Sequence, residues 1–349
     1  MRRIILFCSA VFLLCACGGR PDRLPPLSGS AHARYFDLTG DGIVTVSPYD
    51  GHRDTLRLDR PLDNLVCLSS SYIAFLDGIG CDSVVTGVSG IGYISDPDLQ
   101  ERYEATRAGS AVRPLYDVGY DASPDYERIV ALHPDLVLTY TVSAAESPFL
   151  AKLRSLGIPV LLLYEHLENH PLARAEYVRL FGALTGRQAV ADSVFSAVCE
   201  RYDALRTETA HPVRVLLNIP YGDQWFIPGA ESYMAALIRD AGGEVLGAEA
   251  GTAESRVVSQ EEAYVLARQA DAWLNPGWCR TRAQLDEALP SFARIHVPSI
   301  WNNIRRTTPS GGNDFWESGV LRPDLILSDL VEILQGTGDG ALTYYQKVD

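Results

Sequence analysis

Two stretches of this chain read almost alike, half a chain apart. SYIAFLDGIG (Ser71–Gly80) and SYMAALIRDAGG (Ser232–Gly243) both run Ser-Tyr-x-Ala-x-Leu and continue through apolar residues to a glycine. Each follows a short apolar run of strand type, NLVCLSS (Asn64–Ser70) and VRVLLNI (Val213–Ile219), and each leads into another, SVVTGVS and EVLG. Further on, each half offers an acidic helix running into a strand, YERIVALHPDLVLTY and EEAYVLARQADAWLNPG. Strands alternating with helices mean βαβ units and a parallel sheet covered on both faces. One helix opening can recur by chance, but a recurring order of elements predicts two related lobes.

The expected fold class is therefore α/β. It comprises two doubly wound, Rossmann-like lobes joined by a long connecting α-helix, with a small N-terminal β-hairpin extension. RYFDL and GIVTVSPY, split by Gly40-Asp41-Gly42, supply the hairpin. From Pro171 to about Thr209 the strand rhythm stops. Val190, Val194, Phe195, Val198, Tyr202 and Leu205 recur at helical spacing, with Gly182 and Gly186 as the strong interruptions. The boundaries read as signal peptide 1–17, linker and β extension 18–62, first lobe 63–170, connector 171–210, second lobe 211–335 and tail 336–349. A helical connector implies small motion between the lobes.

Arg2-Arg3 and the apolar run Ile4–Leu14 form an export signal, too short and wrongly flanked for a membrane span. Leu14-Cys15-Ala16-Cys17 resembles a lipobox, so lipid is expected on Cys17, tethering the body to a membrane surface through the Pro-rich leash Gly18–Ser30. A formal charge of −14 argues against a nucleic-acid partner. Cys67, Cys81, Cys199 and Cys279 have no CxxC among them and no zinc-site spacing. An exported location permits a Cys67–Cys81 disulfide, and buried thiols are the alternative.

Open α/β sheets bind ligands outside the carboxyl ends of their strands. In the first lobe those loops carry Ser71, Tyr72, Tyr93, Tyr120 and Tyr140, with Glu165-His166 after the last strand. In the second lobe they carry Tyr221, Trp225, Trp278 and Trp301, followed by Arg305-Arg306. A tryptophan at a loop tip either folds back onto the core or meets a flat ligand. Trp225 is expected to face the ligand, lifted by the turn Gly222-Asp223-Gln224. Arg305-Arg306 reads either as a clamp for anionic oxygens or as a solvated pair. The sequence holds no GxSxG at Ser69–Ser71, no P-loop and no HExxH, so no catalytic residue is assigned. His166 and His170 in EHLENH read as structural or solvated; no metal site and no cofactor is expected.

Several stretches together resemble one family. LVCLSSSYIAFLDGIGCDSVVTGVS, ASPDYERIVALHPDLVLTY, HPLARAEYVRLFGALTG, FIPGAESYMAALIRDAGGEVL and GNDFWESGVLRPDLILSDLVEIL look like the iron-complex and cobalamin type of ABC-transporter substrate-binding protein. The resemblance runs from about Asn64 to Leu334. It implies a monomeric, periplasmic, membrane-anchored binding protein that hands its ligand unchanged to a permease. It also implies one exposed glutamate per lobe that docks on that permease: Glu127, and either Glu261 or Glu262. The ligand expected first is a ferric siderophore, because Arg305-Arg306 suits an anionic chelate, with a corrinoid and then haem as alternatives.

Overall fold

The computed structural model describes residues 29–40, 42–120, 123–336 and 342–349. The signal segment and Cys17 lie outside the described residues. The chain opens with β1 (Phe36–Thr39), β2 (Gly42–Val46) and β3 (Arg53–Leu56), paired in order as an antiparallel sheet. The expected hairpin thus has a third strand. Sequence reading misses β3 because RDTL is short and polar.

Two parallel sheets follow. The first is assembled from β4 (Leu65–Cys67), α1 (Ser70–Asp77), β5 (Val85–Val88), α2 (Pro97–Arg107) and β6 (Tyr116–Asp117). After the short antiparallel pair β7 (Gly119–Tyr120) and β8 (Ser123–Pro124) come α3 (Tyr126–Leu132), β9 (Leu136–Thr139), α4 (Pro148–Ser155) and β10 (Val160–Leu162). Its strand order is β10-β9-β4-β5-β6, all parallel. The order reverses between β4 and β9, which is where a doubly wound sheet opens a crevice.

The expected single connector is three helices, α5 (Pro171–Ala175), α6 (Tyr177–Thr185) and α7 (Gln188–Leu205). Gly186 ends α6 in the left-handed region, φ +69°, which turns the chain before α7. The second sheet is then built from β11 (Val213–Leu217), β12 (Trp225–Ile227), α8 (Tyr233–Asp240), β13 (Gly243–Val245), β14 (Arg256–Val258) and α9 (Gln260–Ala267). It is completed by β15 (Ala272–Leu274), α10 (Arg282–Ala288), β16 (Ser299–Asn302), α11 (Ser318–Leu321), α12 (Pro323–Gln335) and β17 (Gln346–Lys347). The order is β13-β11-β15-β16-β17, and the last strand is antiparallel. The expected tail is thus an edge strand of this sheet. β12 and β14 form a separate hairpin.

The repeated motif forms α1, which begins just after β4, and α8, which is separated from β11 by the strand β12. Each ends at a glycine with positive φ, Gly80 at +66° and Gly242 at +84°, where the chain turns back to the next strand. The strands are buried on both faces, and alternate residues enter different clusters. Leu65, Cys67, Leu136 and Leu138 join one cluster, while Val66 and Val137 join another beneath Ile129 and Leu153. In the second sheet Val215, Leu217 and Leu274 enter that same first cluster, while Leu216 and Trp273 face the other way. The first cluster therefore runs through both sheets, by way of Phe75, Tyr177, Phe181, Val198, Leu237 and Leu330.

Irregular segments are held to this frame by buried carboxylates. Both oxygens of Glu176 accept the amides of Ala31, His32 and Ala33 at 2.7–2.8 Å, and Glu168 accepts those of Arg34 and Tyr35 at 2.7 and 3.0 Å. Replacing Glu176 by Ala leaves three amides without an acceptor. It is expected to cost about 3 kcal/mol in urea unfolding and to speed hydrogen exchange at residues 31–35. Unchanged exchange there would show that Glu176 does not anchor the segment.

Candidate ligand-binding site

The loops at the carboxyl ends of the two sheets meet. Asp117, at the end of β6, accepts the amides of Gly90, Ile91 and Gly119 at 2.9–3.1 Å. One carboxylate thereby shapes both loops that carry Tyr93 and Tyr120. Their rings meet edge to face, 5.7 Å apart, and both remain about half exposed, 44% and 53%. Gly90, φ +63°, sits where any Cβ would strike the Tyr120 ring.

The second sheet contributes Trp278, after β15, and the segment 303–317, after β16. Trp278 is 60% exposed. The Thr308 hydroxyl donates to the Gly92 carbonyl at 2.7 Å, and Gly312 packs on the Tyr93 backbone so closely that no side chain fits. A methyl on Gly311 would stand 4.0 Å from both the Tyr93 and the Trp278 rings. Two exposed aromatic rings, one from each sheet's loops, thus flank one glycine loop, and Tyr120 stands behind Tyr93. Glu317 completes the crossing: its carboxylate, 3% exposed, accepts the amides of Ser95 and Asp96 at 2.9–3.0 Å.

A cavity of about 390 Å³ lies between the two sheets, lined by His166, Arg174, Ser232, Tyr233 and Trp316 among others. The Arg174 guanidinium stacks 3.9 Å over the Tyr233 ring and donates to the His166 and Glu168 carbonyls at 2.7 and 3.0 Å. Burial, reinforced by the Arg174 charge, pushes the His166 pKa down to about 4, so its imidazole is neutral at physiological pH. Tyr140 meets this ring edge-on at 5.4 Å.

Several expected site residues lie elsewhere. Trp225 is wholly buried: its indole donates to the Leu217 carbonyl at 2.9 Å and stacks on Phe292 at 5.4 Å. The expectation that it faces a ligand is corrected, because the hairpin of β12 and β14 folds the ring back onto the second sheet. Tyr72 is likewise buried, against Phe181. Ser71 is 4% exposed, and its hydroxyl donates to the buried Glu165 carboxylate at 2.9 Å. Trp301 is half-buried and tied to Ser299 at 2.7 Å. Arg305 and Arg306 are both exposed, and Arg306 pairs with the buried Asp314 at 3.0 Å. Tyr221 is 85% exposed at the tip of the loop after β11.

Sequence reasoning missed Arg174, Tyr233 and Trp316. Tyr233 occupies the same motif position as Tyr72, and only its packing under Arg174 sets it beside the cavity; Arg174 lies on a helix that reads as connector. The His170 ring caps α5, its Nδ1 accepting the Leu172 amide at 3.1 Å. Among the described residues no group of three or more His, Cys, Asp or Glu could hold a metal ion. Cys67, Cys81, Cys199 and Cys279 are free thiols, so the permitted disulfide is not formed. Glu127, Glu261 and Glu262 are exposed in the first turns of α3 and α9. No helix among the described residues is long and apolar enough to cross a membrane.

Comparison with known proteins agrees with this architecture. The profile of the family described as periplasmic binding protein matches residues 65–291, and the chain belongs to that family. An uncharacterized lipoprotein of Methanocaldococcus jannaschii is 25% identical over 284 residues, covering 79% of this chain and 66% of that protein. A cobalamin-binding protein of Halobacterium salinarum is 26% identical over 238 residues, covering 67% and 59%. The chain thus spans less than two thirds of the length of these relatives. Among solved structures, a periplasmic heme binding protein from Pseudomonas aeruginosa superposes with a TM-score of 0.59 at 17% identity, over 82% of this chain and 98% of that one. The periplasmic vitamin B12 binding protein of Vibrio cholerae gives 0.53 at 15% identity, over 80% and 99%. At such identities the likeness establishes the fold. Family membership makes the chain a binding protein rather than an enzyme.

Two outcomes follow from this geometry. Trp225→Ala should lower stability by about 3–5 kcal/mol in denaturant unfolding, since it empties a core position. A stable variant with impaired ligand binding would reverse the correction. Burial, opposed by the Ser95 amide and helped by Asp314, raises the Glu317 pKa to about 8. Between the ordinary carboxyl value and about 8 the folded state binds more protons than the unfolded one, so stability should fall as pH rises through that window. Glu317→Gln should flatten that fall, and an unchanged pH profile would remove Glu317 as its source.

Proposed function

We propose that this protein is the binding component of an ABC importer. It captures a metal chelate between its two lobes and passes it unchanged to a membrane permease, while lipid on Cys17 tethers it outside the cytoplasm. The observation that carries the reading is the approach of Tyr93 and Trp278, from loops of the two sheets, to the loop at Gly311, with Tyr120 packed edge-on against Tyr93. Exposed aromatic rings are costly in water unless they meet a large flat partner. The two units 63–170 and 211–335, bridged by 171–210, serve as the lobes.

The same geometry favours a corrinoid over the ferric siderophore expected from Arg305-Arg306. Asp314 already neutralises Arg306, and the chain carries a formal charge of −14. Such a field repels a polyanionic chelate but tolerates an amide-rich, weakly charged corrinoid. Relatives described as cobalamin-binding proteins support this choice. Haem is the second reading, favoured by the neutral imidazole of His166 beside the inner cavity.

Helix position also selects the docking pair. Glu127 is the second residue of α3 after the Asp125 cap, and Glu261 is the second residue of α9 after the Ser259 cap. Glu262 is engaged by Arg256 at 2.8 Å. Glu127 and Glu261 are therefore the matched pair that meets the permease, with exposed charge that orients docking more than it adds affinity.

The test is a fluorescence titration of the chain from Gly19 onward with cobinamide, cobalamin, haemin and a ferric catecholate. Saturable quenching by a corrinoid at micromolar concentration, weakened about tenfold or more in Trp278→Ala, is the expected result. Binding of the ferric catecholate alone would overturn the corrinoid reading. Glu127→Ala and Glu261→Ala should bind ligand normally and transport poorly in cells. Loss of binding in either would defeat the docking assignment.

A further inference from the structure

The loop that presents Trp278 is built with unusual rigidity for an exposed turn. Asn275 opens it in the left-handed region at φ +58°, a conformation that asparagine tolerates better than most residues with a side chain. Gly277 follows at φ +59°, where a Cβ would collide with the Ile219 side chain. The backbone turns tightly: the Gly277 amide donates to the Asn275 carbonyl at 2.8 Å and the Cys279 amide to that of Pro276 at 3.2 Å.

Beneath it lies Asn302, at the end of β16 and with no exposed surface. Its amide nitrogen donates to the Gly277 carbonyl at 3.0 Å and to the Cys279 carbonyl at 2.8 Å. Those carbonyls belong to the residues on either side of Trp278. One buried amide therefore holds the peptide segment under an indole that is itself 60% exposed. Arg280 extends the same brace, donating to the Thr307 hydroxyl at 2.7 Å, at the base of the loop that reaches Gly92 and Tyr93.

A fold that needed only to close this turn would not require a left-handed asparagine, a glycine held against Ile219 and a fully buried side-chain amide to support an exposed tryptophan. Ordering such a loop beforehand lowers the entropy lost when a ligand arrives. We propose that Asn302 is a positioning residue for ligand binding, which fixes the Trp278 indole opposite Tyr93 as a ready-made platform for one face of a flat ligand. Asn302 acts through Trp278 and does not touch the ligand. The inference rests on the reading above, that Trp278 faces the bound chelate.

A double-mutant cycle separates the two. Affinity for cobinamide, cobalamin and haemin is measured by titration in the wild type, Asn302→Leu, Trp278→Ala and the double variant, with thermal unfolding recorded for each. Asn302→Leu keeps the volume and removes the amide. It is expected to weaken whichever ligand binds by about tenfold in the wild-type background and to have no further effect once Trp278 is absent. An equal loss in both backgrounds would overturn the positioning role while leaving Trp278 in the site. No effect of Trp278→Ala would overturn the platform and the reading beneath it. If Asn302→Leu does not fold, Gly277→Ala strains the same loop from the side of Ile219. Its loss of affinity must likewise vanish in the Trp278→Ala background, and persistence there would refute the proposal.

Discussion

Much of this structure depends on one recurring interaction, a buried carboxylate that accepts a run of backbone amides. Segments outside helices and strands carry amides that must find acceptors when they are packed away from water. Here Glu176 and Glu168 take those of residues 31–35, Asp117 those of Gly90, Ile91 and Gly119, Glu317 those of Ser95 and Asp96, and Asp329 those of Thr343, Tyr344 and Tyr345. Where the acid is ionised these bonds are charge-assisted and offset part of its desolvation, while burial raises the pKa of Glu168 to about 7 and of Glu317 to about 8. They decide where the N-terminal segment lies, how the two cleft loops are shaped, how the sheets are joined and how the tail returns to an edge strand.

The second organising fact is the shared core. Because strand side chains alternate, each sheet gives one face to a common cluster and the other to a cluster of its own. The common cluster binds both sheets to α1, α6, α7, α8 and α12. It leaves the carboxyl ends of the strands as the open side of the joined body. Aromatic rings at that side are therefore not spare core residues. Trp278, Tyr93 and Tyr120 stand on loops whose backbone is already fixed, and this separates them from Trp225 and Trp273, which fill the second sheet's own cluster.

Legibility in the sequence varied with the reach of the interaction. Elements marked by apolar periodicity, such as β4, β9, β11, α7 and α12, were readable because their pattern is local. α2 was not, since PDLQERYEATR buries only Leu99 and is held by the Asp96 cap and distant packing. β17 was invisible because two polar residues become a strand only when Trp301 and Asn302 lie beside them. Site residues divided in the same manner. The strand-end rule located the loops correctly, but whether a tryptophan in them points outward depends on neighbours far away in sequence. Trp225 and Trp278 follow similar turn residues and have opposite fates.

The sequence by itself determined the α/β frame with its two sheets, because a repeated order of strands and helices can bury its apolar faces in few other ways. Only the tertiary structure decided which aromatic rings meet the solvent between the sheets, that Arg306 is already neutralised by Asp314, and that one buried asparagine braces Trp278. Those outcomes rest on contacts that span from eight positions, for Arg306 and Asp314, to more than two hundred, for Gly92 and Thr308, and no apolar periodicity encodes their geometry.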